Sequence, residues 1–156
     1  MGRTTILTVG ILLLALLNLS NSAVTVNQLT GITSSNLAFS GYIPVSDTSS
    51  NQLFFTYYGI DGQTDQNALK NFPLIIVVGN PGSSSQYLNF GSFGPLILNN
   101  DLTTVANPNR LTQFANVMFI DLLGSGFSFA NSSSDLPSDL LTFGIQLTYS
   151  VNQFVK

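Results

Sequence analysis

The chain has 156 residues, which is room for one domain at most. Only four residues are Lys or Arg and all seven acidic residues are Asp, so the formal net charge is −3. With no basic patch, the chain is a poor partner for nucleic acid or an anionic membrane surface. The sequence has no Cys and no His, the side chain that most often transfers protons at neutral pH. We therefore expect no disulfide and no thiolate chemistry.

A secretory signal peptide is predicted at residues 1–22. Arg3 gives a short positive start, and residues 6–17 form an apolar run that is too short to span a bilayer comfortably. Small residues near Ser22 favour cleavage there, which would leave a mature domain at residues 23–156. A retained signal anchor is the alternative, although no stable membrane span is expected. Secretion, or delivery to a vacuolar or lysosomal lumen, is the predicted fate.

The mature chain begins with a polar lead-in at residues 24–35 and continues into a predicted β-hairpin. Residues 38–45 and 52–58 are apolar and aromatic, and a stretch of turn residues separates them. We expect the aromatic side chains of the second strand to pack in the core. The alternative is a carbohydrate-stacking surface, and the side chains concerned are Phe54, Phe55, Tyr57 and Tyr58.

Residues 59–71 are predicted to form a solvated loop. Asp61 and Asp65 in this loop faintly suggest a calcium site, but an EF-hand loop needs a Glu at its twelfth position. The chain contains no Glu. We expect no metal site and no cofactor.

The central feature is the aliphatic run at residues 74–78, which predicts a strand buried on both faces of an α/β sheet. Gly79, Asn80, Pro81 and Gly82 follow it as a tight loop. Open α/β sheets bind ligands at the carboxyl ends of their strands, so these backbone amides are candidates for contact with a substrate oxygen. The alternative is a plain connection from strand to helix.

Beyond this loop we expect a short helix near residues 84–89, an irregular segment rich in Gly and Pro, and a second buried strand at 117–122. Arg110 is expected to face water, with binding of a carboxylate as the alternative. Gly124 and Gly126 resemble the start of a dinucleotide fingerprint, but the third glycine is missing.

The carboxyl-terminal part carries a glycosylation sequon and a helix. Asn131-Ser132-Ser133 fits the acceptor pattern for N-glycosylation, which is meaningful only in a secreted chain. A helix is predicted from Pro137 or Ser138 onward, with Asp139 near its start suiting the helix dipole. Its apolar residues recur every three or four positions and are Leu140, Phe143, Leu147, Val151 and Phe154.

Residues 73–85 read PLIIVVGNPGSSS, which resembles the Pro-Leu-x-x-Trp-Leu-Asn-Gly-Gly-Pro-Gly-Cys-Ser-Ser signature of serine carboxypeptidases. Four further parts of the chain resemble family motifs and occur in the same order as in the family. The first is the pair 39–42 and 53–58, and the others are 94–96, 115–121 and 124–129. The resemblance covers roughly residues 38–156. It implies an α/β fold that forms the amino-terminal half of an α/β-hydrolase sheet, with a hairpin, two buried strands and flanking helices.

The resemblance implies hydrolysis of carboxyl-terminal peptide bonds, with a nucleophile in a Gly-Glu-Ser-Tyr segment and a later Asp and His. None of these lies in this chain, so we assign it no catalytic residue and expect it to be inactive alone. A peptide substrate is expected only if a carboxyl-terminal half completes the domain. The alternative is a non-catalytic secreted binding or structural protein on the same fold.

One site role can be carried over from the family. The second Gly of the family's Asn-Gly-Gly-Pro-Gly donates a backbone N–H to the oxyanion, and alignment on Pro81 and Gly82 places Asn80 there. The family's motif Asn, which helps hold the substrate carboxylate, has no equivalent, because Val78 or Gly79 occupies its position. The family's Cys is replaced by Ser83. These departures leave exopeptidase specificity open.

Overall fold

The structure, a computed structural model, describes residues 23–25 and 37–156. The predicted signal peptide at 1–22 and most of the predicted lead-in lie outside the described residues. The strands are β1 (Ala23–Thr25), β2 (Ala38–Pro44), β3 (Gln52–Tyr58), β4 (Leu74–Val78), β5 (Leu96–Leu98), β6 (Thr104–Ala106) and β7 (Asn116–Ile120). The helices are α1 (Gln86–Leu88), a π-helical turn (Asn89–Phe93), α2 (Leu140–Phe154) and three 3-10 turns at Gln66–Asn71, Leu111–Gln113 and Ser133–Asp135.

Five of the strands form one mixed sheet in the order β1-β2-β3-β7-β4. The predicted hairpin is confirmed, since β2 and β3 pair in antiparallel register from Ala38 opposite Tyr58 to Pro44 opposite Gln52. β3 then pairs antiparallel with β7, and β7 pairs parallel with β4. Helices flank this sheet, so the predicted α/β class is confirmed.

β7 is more deeply buried than β2, β3 and β4, its companions in the sheet at residues 37–156. All five of its residues are 2% exposed or less, because β3 and β4 pair with its two edges and both of its faces are covered. Met118 and Ile120 join the core cluster that contains Phe55, and Phe119 joins a second cluster that contains Tyr58. The second buried strand was predicted at 117–122, two residues beyond its actual end.

The prediction that residues 74–78 are buried on both faces was wrong. β4 lies at the edge of the sheet, and within the described part of the chain its second edge has no partner strand. Leu74, Ile76 and Val77 are half-buried, and Val78 is 37% exposed. Leu74 and Ile76 pack against the cluster that contains Phe55, and Val77 packs against the one that contains Tyr58, but these contacts bury the side chains only in part. An aliphatic run therefore does not by itself ensure burial.

Helix α2 begins later than the sequence indicates. Asp139 caps it, accepting a hydrogen bond from the Thr142 backbone N–H at 2.9 Å. Phe154 at the other end packs its ring 5.3 Å from that of Phe55, and Leu147 and Val151 contact the same core cluster. Leu140 was expected on this face but is 77% exposed, because it lies in the first turn, beyond the core.

Two features between β3 and β7 differ from the sequence prediction. The segment expected to be irregular contains a hairpin of β5 and β6. Arg110, expected to face water, instead forms an ion pair with Asp61, in which its Nε donates to Asp61 Oδ2 at 2.7 Å. The predicted solvated loop at 59–71 is therefore tied to the body of the protein and also contains a 3-10 turn.

Among the residues that the structure describes, no helix has both the length and the apolar character needed to cross a bilayer.

The open edge of β4 leads to a prediction about association. An apolar edge without a charge or a bulge invites pairing with another chain. We expect residues 23–156 expressed alone to self-associate, and Val78→Lys to shift the population towards monomer because it places a charge on that edge. Size-exclusion chromatography with light scattering measures both.

Leu98→Lys is the matched control, because Leu98 is comparably exposed but lies on β5 in the separate two-stranded sheet. It should leave the association unchanged. A wild-type chain that elutes as a monomer, melts cooperatively and binds no hydrophobic dye would contradict the prediction.

Candidate functional site

The loop after β4 begins with a tight turn. The Ser83 backbone N–H donates to the Asn80 carbonyl at 2.8 Å, and Gly82 has φ +81°. Proline at the second position and a positive φ at the third define a type II turn, so Pro81 and Gly82 suit their places. Gly79 is buried beneath the turn, and a Cβ there would lie 2.2 Å from the Ser83 carbonyl oxygen. Only glycine fits at that position.

This turn presents backbone groups to solvent. Asn80, Pro81 and Gly82 are all exposed. Within residues 37–156, no hydrogen-bond acceptor is paired with the backbone N–H of Asn80. The structure thus brings the four predicted residues together at the carboxyl end of β4, with a donor left available at Asn80.

The carboxylate of Asp121 holds the far end of the same loop. Asp121 directly follows β7 and is fully buried. Its Oδ1 accepts hydrogen bonds from the Ser84 hydroxyl at 2.9 Å, the Ser85 N–H at 2.7 Å and the Ser85 hydroxyl at 2.8 Å. We call residues 79–85 the β4 loop. Sequence reasoning missed this role, although an Asp directly after a buried strand is a usable signal.

A second loop, residues 122–128, meets the same carboxylate and is called the β7 loop. The Phe127 backbone N–H donates to Asp121 Oδ2 at 2.9 Å. Gly126 has φ +54°, and a Cβ on it would lie 1.8 Å from Asp121 Oδ2. The loop is also joined to β3, because the Phe54 N–H donates to the Ser128 hydroxyl at 2.8 Å.

Neutral polar side chains attach the following helix to the sheet. The helix predicted near 84–89 is α1 with its π-helical continuation. The buried Asn89 amide nitrogen donates to the Tyr58 hydroxyl at 3.0 Å and to Gln86 Oε1 at 2.9 Å. Burial raises the pKa of Tyr58 above its usual value, so its hydroxyl stays neutral around physiological pH.

A sizeable cavity lies away from this site. It has a volume of about 640 Å³ and lies on the α2 side of the sheet, between Leu69, Tyr57 and Phe154. No residue of the β4 loop lines it. Among the described residues there is also no group of three His, Cys, Asp or Glu side chains that could hold a metal ion. What the site offers chemically is backbone donors on an exposed turn.

Comparison with known proteins gives the family. The mixed sheet with flanking helices is similar to the crystal structure of Kex1Δp, a prohormone-processing carboxypeptidase from Saccharomyces cerevisiae. The TM-score is 0.61 and the sequence identity is 24%, and the match covers 76% of this chain and 27% of that one. This places the fold in the α/β-hydrolase class. The family model described as serine carboxypeptidase matches residues 30–156. The chain belongs to the serine carboxypeptidase family.

Individual relatives agree with this assignment. The chain is 34% identical over 118 residues to the pheromone-processing carboxypeptidase kex1 of Schizosaccharomyces japonicus, a match that covers 75% of this chain and 22% of that protein. It is 35% identical over 122 residues to serine carboxypeptidase S10 family member 1 of Dictyostelium discoideum, a match that covers 77% of this chain and 28% of that protein. The chain thus spans about a quarter of the length of these relatives.

The contact beneath the turn gives a stability prediction. Gly79→Ala would force a Cβ against the Ser83 carbonyl and shift the backbone, which should cost about 1–3 kcal/mol. Urea denaturation followed by tyrosine fluorescence, at one protein concentration, measures the loss. Gly91→Ala is the control, because a Cβ there meets no atom within 4 Å. Equal midpoints for the two variants would show that the β4 loop does not need glycine at position 79.

Proposed function

We propose that the chain forms the amino-terminal part of a secreted serine-type carboxypeptidase that hydrolyses carboxyl-terminal peptide bonds. The observation that carries the proposal is the exposed type II turn at the carboxyl end of β4, in a chain of this family. The Asn80 N–H in this turn has no acceptor among residues 37–156. In open α/β sheets this end of the strands is where ligands bind. A peptide is the corresponding substrate class.

In this proposal the β4 loop supplies part of the oxyanion hole. The Asn80 N–H would donate to the oxygen that becomes negative when the scissile carbonyl is attacked. A preorganised donor of this kind lowers the barrier by about 3 kcal/mol. The turn meets the condition of preorganisation, because the hydrogen bond from Ser83 to Asn80 closes it and the fixed φ of Pro81 stiffens it.

The nucleophile and its base are assigned to other parts of the domain. The chain has no His, and the hydroxyls of Ser84 and Ser85 donate to Asp121 inside the loop junction. We also assign no residue that binds the substrate carboxylate. Arg110 has the right charge, but it is already paired with Asp61.

The secretory part of the proposal rests on two sequence features. Residues 1–22 would direct the chain into the secretory pathway, for secretion or for a vacuolar or lysosomal lumen. Asn131 would carry an N-linked glycan. Its exposure supports this, since its backbone N–H is held by Asn51 Oδ1 at 2.8 Å while the residue faces solvent.

The non-catalytic alternative is favoured by one observation, the absence of His from all 156 residues. Sequencing the transcript across position 156 separates the two proposals. An open reading frame that continues into a Gly-x-Ser-x-Gly segment and a late His supports the peptidase. A stop codon at that point, together with a stable monomeric product, supports a binding or structural protein.

The first functional prediction is that residues 23–156 alone hydrolyse neither peptides nor esters. A serine hydroxyl without a base is a poor nucleophile, and an oxyanion donor acts only on a bound, oriented substrate. Carboxyl-terminal dipeptide substrates and activated esters provide the assay. Turnover that a serine-directed covalent inhibitor abolishes would reveal a nucleophile within this chain.

The second functional prediction concerns an active enzyme that contains this chain. Asn80→Pro removes the backbone donor and should lower kcat by roughly 100-fold or more. Asn80→Ala keeps the N–H and is the matched control, so it should change kcat much less. If the two variants behave alike, the backbone N–H of residue 80 is not the oxyanion donor.

A further inference from the structure

We infer that Asp121 is the positioning residue of the site, and that its carboxylate holds the β4 loop and the β7 loop in one fixed arrangement. The inference deepens the proposed function and rests on it for its catalytic meaning, because the β4 loop carries Asn80. The arrangement itself is independent of any activity. Asp121 touches no substrate in this scheme and acts only through the two loops.

Each oxygen of the Asp121 carboxylate accepts hydrogen bonds from a different loop. Oδ1 accepts from both Ser84 and Ser85 of the β4 loop, while Oδ2 accepts from Phe127 of the β7 loop. The strands that precede these loops, β4 and β7, are parallel neighbours. Hydrogen bonds to a charged acceptor are about twice as strong as neutral ones. One buried side chain therefore joins the ends of two adjacent strands.

The path from Asp121 to Asn80 is short and closely packed. Asp121 fixes the Ser85 N–H, and a Cβ built on Gly79 would lie 3.0 Å from that nitrogen and 2.2 Å from the Ser83 carbonyl. The backbone on either side of the turn is thus in direct contact. Ser83 then holds the Asn80 carbonyl. In the inferred arrangement, a displacement of Ser85 reaches Asn80 through the close contact at Gly79 and the hydrogen bond from Ser83.

The β7 loop leaves space for the carboxylate on its other side. A Cβ on Gly126 would lie 1.8 Å from Asp121 Oδ2 and 2.7 Å from the Ser84 hydroxyl. Any side chain at position 126 therefore displaces the acceptor, its Ser84 donor, or both. Gly126 and Asp121 form one unit, in which the glycine provides the room that the carboxylate needs.

The test is hydrogen exchange by mass spectrometry on the complete chain, produced in a secreting host. Asp121→Ala should accelerate exchange about tenfold to a hundredfold in peptides covering residues 79–88 and 122–130. Peptides covering β2 and α2 should keep their wild-type rates, because neither element is hydrogen-bonded to the two loops. Asp101→Ala is the matched control, since it removes an exposed carboxylate from a remote turn. It should alter neither loop.

Two outcomes overturn the inference. Unchanged exchange in residues 79–88 would mean that the carboxylate does not hold the β4 loop. An equal acceleration in all peptides would mean that Asp121 contributes to global stability and not to the position of the loops. Acceleration confined to the two loops supports the inference.

A second variant pair keeps the test decisive if Asp121→Ala does not fold. Gly126→Ala retains the carboxylate but displaces it, and it should loosen residues 79–88 about tenfold. Gly62→Ala is its control, because Gly62 also has a positive φ, +78°, but a Cβ there meets no atom within 4 Å. Both substitutions place a Cβ on a residue with a positive φ. Subtracting the change in exchange caused by Gly62→Ala from that caused by Gly126→Ala therefore leaves the effect of displacing the carboxylate. No difference in residues 79–88 would overturn the inference.

Failure of the inference and failure of the proposed function give different results. If Asp121→Ala loosens both loops while Asn80→Pro leaves the turnover of an active enzyme unchanged, the positioning role stands and the oxyanion role falls. If Asn80→Pro abolishes turnover while neither Asp121→Ala nor Gly126→Ala alters exchange in residues 79–88, the oxyanion role stands and the positioning role falls.

Discussion

The buried carboxylate of Asp121 is the interaction on which the candidate site depends. Burying a charge is costly unless donors replace the water it loses. Here two backbone N–H groups and two serine hydroxyls donate hydrogen bonds to the carboxylate in place of water. The donors come from loops that follow different strands, so the charge is stable only when both loops are in position. The same carboxylate therefore contacts both loops through its hydrogen bonds.

The sheet places that carboxylate where it can act on both loops. β7 lies between β3 and β4, and its core residues face two apolar clusters, one on each side. A strand fixed on both edges and both faces gives its last residue a fixed position. Asp121 occupies the next place in the chain, at the same end as the β4 loop, because β4 and β7 are parallel.

Neutral side chains make most of the polar connections in this charge-poor protein. Asn116 illustrates the pattern, since its amide donates to the Leu69 carbonyl at 2.7 Å and its Oδ1 accepts from the Ile60 N–H at 3.0 Å. Asn107 similarly binds the carbonyls of Ser92 and Gly94. Amides can donate and accept at once, so they secure loops without the cost of burying charge. The buried polar side chains of this member of the serine carboxypeptidase family are thus mostly neutral, with Asp121 as the exception.

The sequence by itself determined the elements whose signals are local. The hairpin of β2 and β3, the strand β7, the helix α2 and the turn at Asn80 all follow from periodicity or turn residues within a few positions. Tertiary structure alone decided the rest, including the exposure of β4, the ion pair of Arg110 with Asp61 and the donors of Asp121. Those donors on Ser85 lie 36 positions away, and Asp61 lies 49 positions from Arg110. Such partners are set by which strands become neighbours, and no local pattern in the chain encodes that choice.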